Sequence, residues 1–245
     1  MSGVHMNLRT LGLRLLGAAI ALTVAGQQAA AQTVSDFSGI WTVEKPSKDI
    51  RTRDGGMPPL LPDSLKLYEQ RQKQAAQGDL SFDPVDAKCA MPGVPRILAM
   101  PYPFQIFRNA LRVVFVYEFN HNFRSVDIAE SVPAADWGTA YGKATAAFAG
   151  DQMVIKTGGL TDETFLDALG MPHSSALRIT ETYRMLNGGK RLAVDLRIED
   201  PEVFSAPWET SLTFRRLPNH QLQEDVCLDR KADGEPVIDW RRQQK

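Results

Sequence analysis

Residues 111–119, Leu-Arg-Val-Val-Phe-Val-Tyr-Glu-Phe, decide the fold class. The stretch is β-branched and aromatic, and Val113, Phe115, Tyr117 and Phe119 recur at every second position, so it reads as a strand with one apolar face. The same pattern returns at residues 153–157, 177–185, 192–198 and 211–217. Gly-Asp, Asn-Gly-Gly and Pro-containing turns separate these runs, and Asn187-Gly188-Gly189 predicts a hairpin. Upstream, Asp36-Phe37-Ser38-Gly39-Ile40-Trp41 seeds one more strand. No internal repeat interrupts the run. A meander of this size leaves two unpaired edges unless it closes, so the expected fold is a mostly β, antiparallel barrel with one N-terminal helix and long loops.

That helix is expected over residues 63–77. Asp63 is placed to cap it, Leu65, Tyr68 and Gln72 share a face, and Gly78 ends it. Residues 51–62 are polar and rich in Pro and Gly. Residues 83–103 carry prolines at 84, 92, 95, 101 and 103, which predicts an ordered loop. Residues 234–245 are polar and read as a loosely attached end.

The N-terminus places the protein in a compartment. Arg9 and Arg14 precede a short uncharged apolar run, Leu15 to Ala25, and Ala29-Ala30-Ala31 follows. This order predicts a secretory signal peptide cleaved after Ala31, leaving a single domain over residues 32–245 that is secreted or periplasmic. An uncleaved anchor helix is the competing reading; the run is short for a membrane span. Losing Arg9 and Arg14 leaves 26 bases against 29 acids, a net charge of −3 without a basic cluster, so nucleic acid is not expected as a partner. In an oxidising compartment Cys89 and Cys227 read as one disulfide worth roughly 2–4 kcal/mol. A catalytic cysteine wants a nearby activating base, and neither has one in its local sequence.

Of the remaining histidines, His121, His173 and His220, none sits in a metal-binding spacing, and no nucleophile elbow, P-loop or dinucleotide fingerprint occurs. No metal and no cofactor are expected. The richest stretch is residues 157–184. Its first half is a long loop carrying Thr161, Asp162, Glu163, Asp167 and His173, with Phe165, Leu166 and Leu169 as apolar anchors. His173 is either a general acid or base or a loop histidine bonded to its neighbours. The second half is a strand whose apolar face contains Glu181. A buried carboxylate needs a partner or a raised pKa. Glu118 shares a face with Val114 and Val116 and poses the same question. Each is either a catalytic carboxylate or half of a structural ion pair with Arg96, Arg124 or Arg197. Lys156 lies opposite Met153 and Ile155, either solvated or an electrostatic stabiliser. Tyr102, Tyr117, Tyr141 and Tyr183 suit a phenolic ligand and an ordinary core equally.

The segment Cys89-Ala90-Met91-Pro92-Gly93-Val94-Pro95-Arg96 resembles the Cys-x-Pro-Gly-x-Pro-Arg signature of a large family of secreted, lipocalin-like bacterial proteins, mostly without assigned function. Similar matches run from Phe37-Ser38-Gly39-Ile40-Trp41 through residues 118–124, Gly150 to Ile155, Gly159 to Asp162, Pro172-His173-Ser174, Glu181 to Arg184, Glu199-Asp200-Pro201, Pro207-Trp208 and Cys227. The resemblance implies hydrolysis, without glutathione, of the β-aryl ether bond in lignin-derived dimers of the guaiacylglycerol-β-guaiacyl ether type. Phe148-Ala149 stands where Trp-Glu is common in that family, and Lys156 where aspartate is common. On this basis Glu118, Lys156, His173 and Glu181 are the expected catalytic groups. Arg96, Tyr102, His121, Arg124, Thr161, Asp162, Asp167 and Tyr183 are expected to bind a small aromatic ether. The alternative is a non-enzymatic binder of small hydrophobic or aromatic molecules, and a third possibility, a partner-binding envelope protein, predicts no pocket.

Overall fold

Alternation of apolar and polar side chains drives nine segments into strands that close on one another. The computed structural model describes residues 1–3, 35–133 and 137–241; the expected signal peptide falls almost wholly outside them. The strands are β1 (Gly39–Val43), β2 (Phe104–Arg108), β3 (Arg112–Tyr117), β4 (Phe123–Ile128), β5 (Lys143–Ala149), β6 (Gln152–Gly158), β7 (Arg178–Leu186), β8 (Arg191–Glu199) and β9 (Trp208–Arg216). Each pairs with the next in sequence, and β1 pairs with β9, so the barrel is closed. Closure satisfies the edge groups that an open sheet would leave bare.

The expectation of a wholly antiparallel barrel is corrected at one seam. β4 and β5 run parallel, with Asp127 opposite Thr145 and Ile128 opposite Ala146. Parallel neighbours need a crossover, and residues 129–133 and 137–142 are its described parts. The expectation of one helix is corrected too. Besides α1 (Pro62–Ala76) there are α2 (Pro84–Lys88), α3 (Arg96–Ala99) and α4 (Cys227–Ala232), so the segment 83–103 is not simply a loop. Pro84 opens α2, where its missing N–H costs nothing, and the Asp83 carboxylate accepts from Val85 N at 3.1 Å. α1 begins without a side-chain cap, and Asp63 merely sits in its first turn. Tyr68 is the buried residue of α1.

The core is the barrel interior: Phe104 and Ile106 from β2, Val113, Phe115 and Tyr117 from β3, Met153 and Ile155 from β6, and Leu192, Val194, Leu196 and Ile198 from β8. β3 stops at Tyr117 because the chain leaves the strand at Glu118 and passes through left-handed backbone at Asn120 and His121. Phe119 is therefore buried beyond the strand, not on its face. Up to residue 241 the C-terminal stretch is held rather than loose: Val237 and Ile238 are in the core and Trp240 packs against it. Cys89 and Cys227 form the expected disulfide, which ties α4 to the end of α2 across 138 residues. Among the described residues, no helix is long and apolar enough to cross a membrane.

Candidate functional site

The period of two places Glu181 inside the barrel, opposite Ile155 on β6 and Leu196 on β8, and it is fully buried. Such a carboxylate must be paired. Arg124 on β4 supplies the pair: Nη2 donates to Oε1 at 2.6 Å and Nη1 to Oε2 at 3.0 Å. Tyr183 Oη donates to Oε2 at 2.7 Å, and Arg124 Nη2 also reaches Thr157 Oγ1 at 2.6 Å. Glu181 is therefore neutralised, and its acceptor positions are occupied by its neighbours. Around this knot, burial drives the Tyr117, Tyr141 and Tyr183 hydroxyls well above the usual phenol range. The rings of Tyr117 and Tyr141 stack with centroids 6.1 Å apart.

Glu118 does not join Glu181. It is buried at the end of β3 and accepts from His220 Nε2 at 3.0 Å and Gln223 N at 2.9 Å, both in the segment leading to α4. The expected pair of inward carboxylates is thus two separate structural contacts. Lys156 is exposed on the outer face of β6, because Met153, Ile155 and Thr157 take the inner one. His121 is exposed as well. Arg96 is locked to Asp83 by two hydrogen bonds, 2.8 and 2.6 Å, and is buried, which removes it from any ligand. Tyr102 packs edge-on against Phe119, and its hydroxyl accepts from Asp239 N at 3.2 Å. Asp167 accepts from Tyr68 Oη at 2.6 Å and from the backbone N–H groups of Ile50, Leu169 and Met171, so it organises a loop. Burial holds its pKa above the usual carboxylate value despite those donors.

That loop builds the open site. With Leu166 N bonded to Met171 O and Asp167 gathering the turn, residues 160–177 fold back on themselves. Ser174 is pinned by Asp200, whose carboxylate accepts from its N–H at 2.6 Å and its hydroxyl at 2.8 Å. His173 is thereby carried to Thr164. Its Nδ1 lies 3.0 Å from Ser174 O, and its Nε2 lies 2.8 Å from Thr164 Oγ1. A carbonyl only accepts, so Nδ1 carries the proton of the neutral ring and Nε2 accepts from the threonine hydroxyl. Burial lowers the His173 pKa below 6.5, which keeps that nitrogen unprotonated and able to accept a proton near neutrality.

Thr164 forms part of the wall of a cleft of about 820 Å³. One wall comes from α1, α2 and the residues after it, with Arg71, Lys88 and Met91. The other comes from the β4–β5 crossover and the residue 161–165 loop, with Trp137, Thr161, Asp162 and Glu163. This volume suits a small organic ligand. Of the expected binding residues, Thr161 and Asp162 line the cleft, while Arg124 and Tyr183 belong to the barrel interior. Thr164, Arg71, Lys88 and Trp137 were not legible as site residues, because only the folded loop and the crossover bring them together. Among the described residues, no cluster of three His, Cys, Asp or Glu side chains is arranged to hold a metal. No protein-family model matches this chain, and no curated protein matches it significantly.

Proposed function

We propose that this protein is an exported, lipocalin-like hydrolase that cleaves the ether bond of small aromatic ethers, of the β-aryl type found in lignin-derived dimers, with water and without a cofactor. The observation that carries this reading is the 2.8 Å contact between Thr164 Oγ1 and His173 Nε2, with Thr164 lining the cleft and His173 buried behind it. Export is supported by the disulfide and by the order of basic, apolar and small residues at the N-terminus.

Water in the cleft gives its proton through the Thr164 hydroxyl to His173 Nε2 as its oxygen attacks the carbon bearing the ether oxygen. The carbon–oxygen bond breaks, and the phenolate leaves and takes up the proton that His173 accepted, which returns the imidazole to its neutral form. A phenol has a pKa of roughly 10, so departure needs little acid assistance. Ser174 O and Asp200 hold the imidazole in the required tautomer. General-base help of this kind is worth about 10²–10⁴ in rate.

The test is incubation with a β-aryl ether dimer in ¹⁸O-labelled water without cofactor. Release of the phenol with label in the other product is expected, and Thr164→Val and His173→Gln should each lower turnover by about 10² or more while keeping the fold. A second reading, a carrier of small aromatic molecules, is favoured by the mutual neutralisation of Arg124 and Glu181. Saturable binding of the dimer without turnover decides for the carrier.

A further inference from the structure

Two cations line the cleft, Arg71 and Lys88. Among the described residues, no carboxylate lies within ion-pair distance of Arg71 or Lys88. Arg71 is held in place by other means. Its Nη1 donates to Gly170 O at 2.8 Å, and its guanidinium carbon lies 4.2 Å from the centre of the Phe165 ring. Gly170 makes this possible: a Cβ there would stand 2.6 Å from Arg71 Cδ and 2.8 Å from the Phe82 ring. Burial lowers the Arg71 pKa, and the Asp83 carboxylate, already bound to Arg96, opposes the shift. A half-buried guanidinium spread over an aromatic ring, with most of its donors uncommitted, suits a planar carboxylate.

The rest of the cleft gives the ligand its polarity. Lys88 adds a second positive charge on the helical wall. Asp162 and Glu163 stand exposed on the opposite wall, where they repel an anion and so direct it toward Arg71. Trp137 is 73% exposed, and Met91 is 52% exposed, so an aromatic ring finds apolar surface at the mouth. We propose that the cleft takes an aromatic molecule bearing one carboxylate, with the carboxylate on Arg71 and Lys88 and the ring against Trp137 and Met91. This builds on the cleft being the substrate site and narrows its substrates to aryl ethers that carry an acid.

The experiment is calorimetric titration of the full exported protein with benzoate and with benzyl alcohol, a neutral molecule of the same size. Wild type should prefer benzoate by roughly tenfold or more, Arg71→Gln should erase the preference without changing benzyl alcohol binding, and added salt should weaken benzoate alone. Equal affinity for the two in wild type, or an undiminished preference in Arg71→Gln, overturns the proposal. Lys88→Glu, at an exposed position, leaves the fold intact and reverses a charge, so unchanged benzoate affinity in that variant overturns it as well, even if Arg71→Gln fails to fold. Cleavage of β-aryl ethers, one neutral and one bearing a carboxylate, is scored separately. Failure to cleave either removes the hydrolase reading and leaves a benzoate preference standing; cleavage without that preference removes only the carboxylate site.

Discussion

Arg124 and Glu181 face each other inside the barrel through two hydrogen bonds, and both side chains are almost completely shut off from solvent. The pair joins β4 to β7 across the interior, strands that are not neighbours in the sheet. Removing one partner leaves a buried charge without compensation, which costs about 3–5 kcal/mol. Glu181→Leu and Arg124→Met should each destabilise by that amount in denaturant titrations. The double variant should lose much less than the sum. Additive losses would mean that the two charges are not energetically linked.

His173 has a native pKa pulled below 6.5 by burial, whereas the unfolded chain keeps the ordinary value. Between those two values the unfolded state binds more protons, so stability falls as the pH drops through 6.5 and stops falling below the native pKa. His173→Gln should flatten that part of the stability curve relative to wild type. For turnover, the acid limb should lie below pH 6.5, since the base stays unprotonated there. A limb above 6.5 would exclude His173 as the base.

Asp86 behaves with the opposite sign. Burial first, and then the neighbouring Asp83 carboxylate, raise its pKa to about 6, against the pull of Arg96. The native state holds that proton longer than the unfolded chain, so this group's contribution to stability declines as the pH rises from about 4 to 6. Asp86→Asn should gain stability over wild type at pH 7 and little at pH 4. Thermal melts at the two pH values give the comparison, and an equal effect at both would show that Asp86 does not titrate in this way.

The disulfide closes a loop spanning 138 residues and fastens α4, whose Arg230 is paired with Asp225 just before the helix. Replacing both cysteines by serine should cost roughly 2–5 kcal/mol. The C-terminal stretch from residue 218 should then become the first site of proteolysis. If a limited digest cuts elsewhere first, α4 is held mainly by Val237, Ile238 and the Glu118 contacts.

Replacing Asp200 tests the support of the site without touching its chemistry. Asp200→Ala removes the clamp on Ser174 and should lower turnover of an aryl ether by about tenfold, with a smaller change in KM, through loss of orientation at His173. Asp200→Asn, which keeps one acceptor, should recover part of it. Turnover equal to wild type in the alanine variant would show that the clamp does not position the imidazole.

Local patterns were enough to identify the β class, the hairpin at Asn187 to Gly189, α1, the disulfide and the burial of Glu181. Each depends on side-chain period, turn chemistry or cysteine count over a short span. Tertiary structure alone decided the rest. β5 is rich in alanine and carries little strand signal, so its parallel pairing with β4, and with it the crossover wall of the cleft, depends on contacts distant in sequence. Arg96, Arg124 and Arg197 were equal partners for Glu181 on paper; closing the barrel brings Arg124 to it, while Asp83 claims Arg96 and the outer acids Glu199 and Glu209 claim Arg197. Thr164 and His173 are nine residues apart in a loop without period, and they meet only because Asp167 and Asp200 fold that loop on itself. Period and turn residues act on neighbours in the chain, whereas which charges and hydroxyls meet is set by closure of the whole sheet.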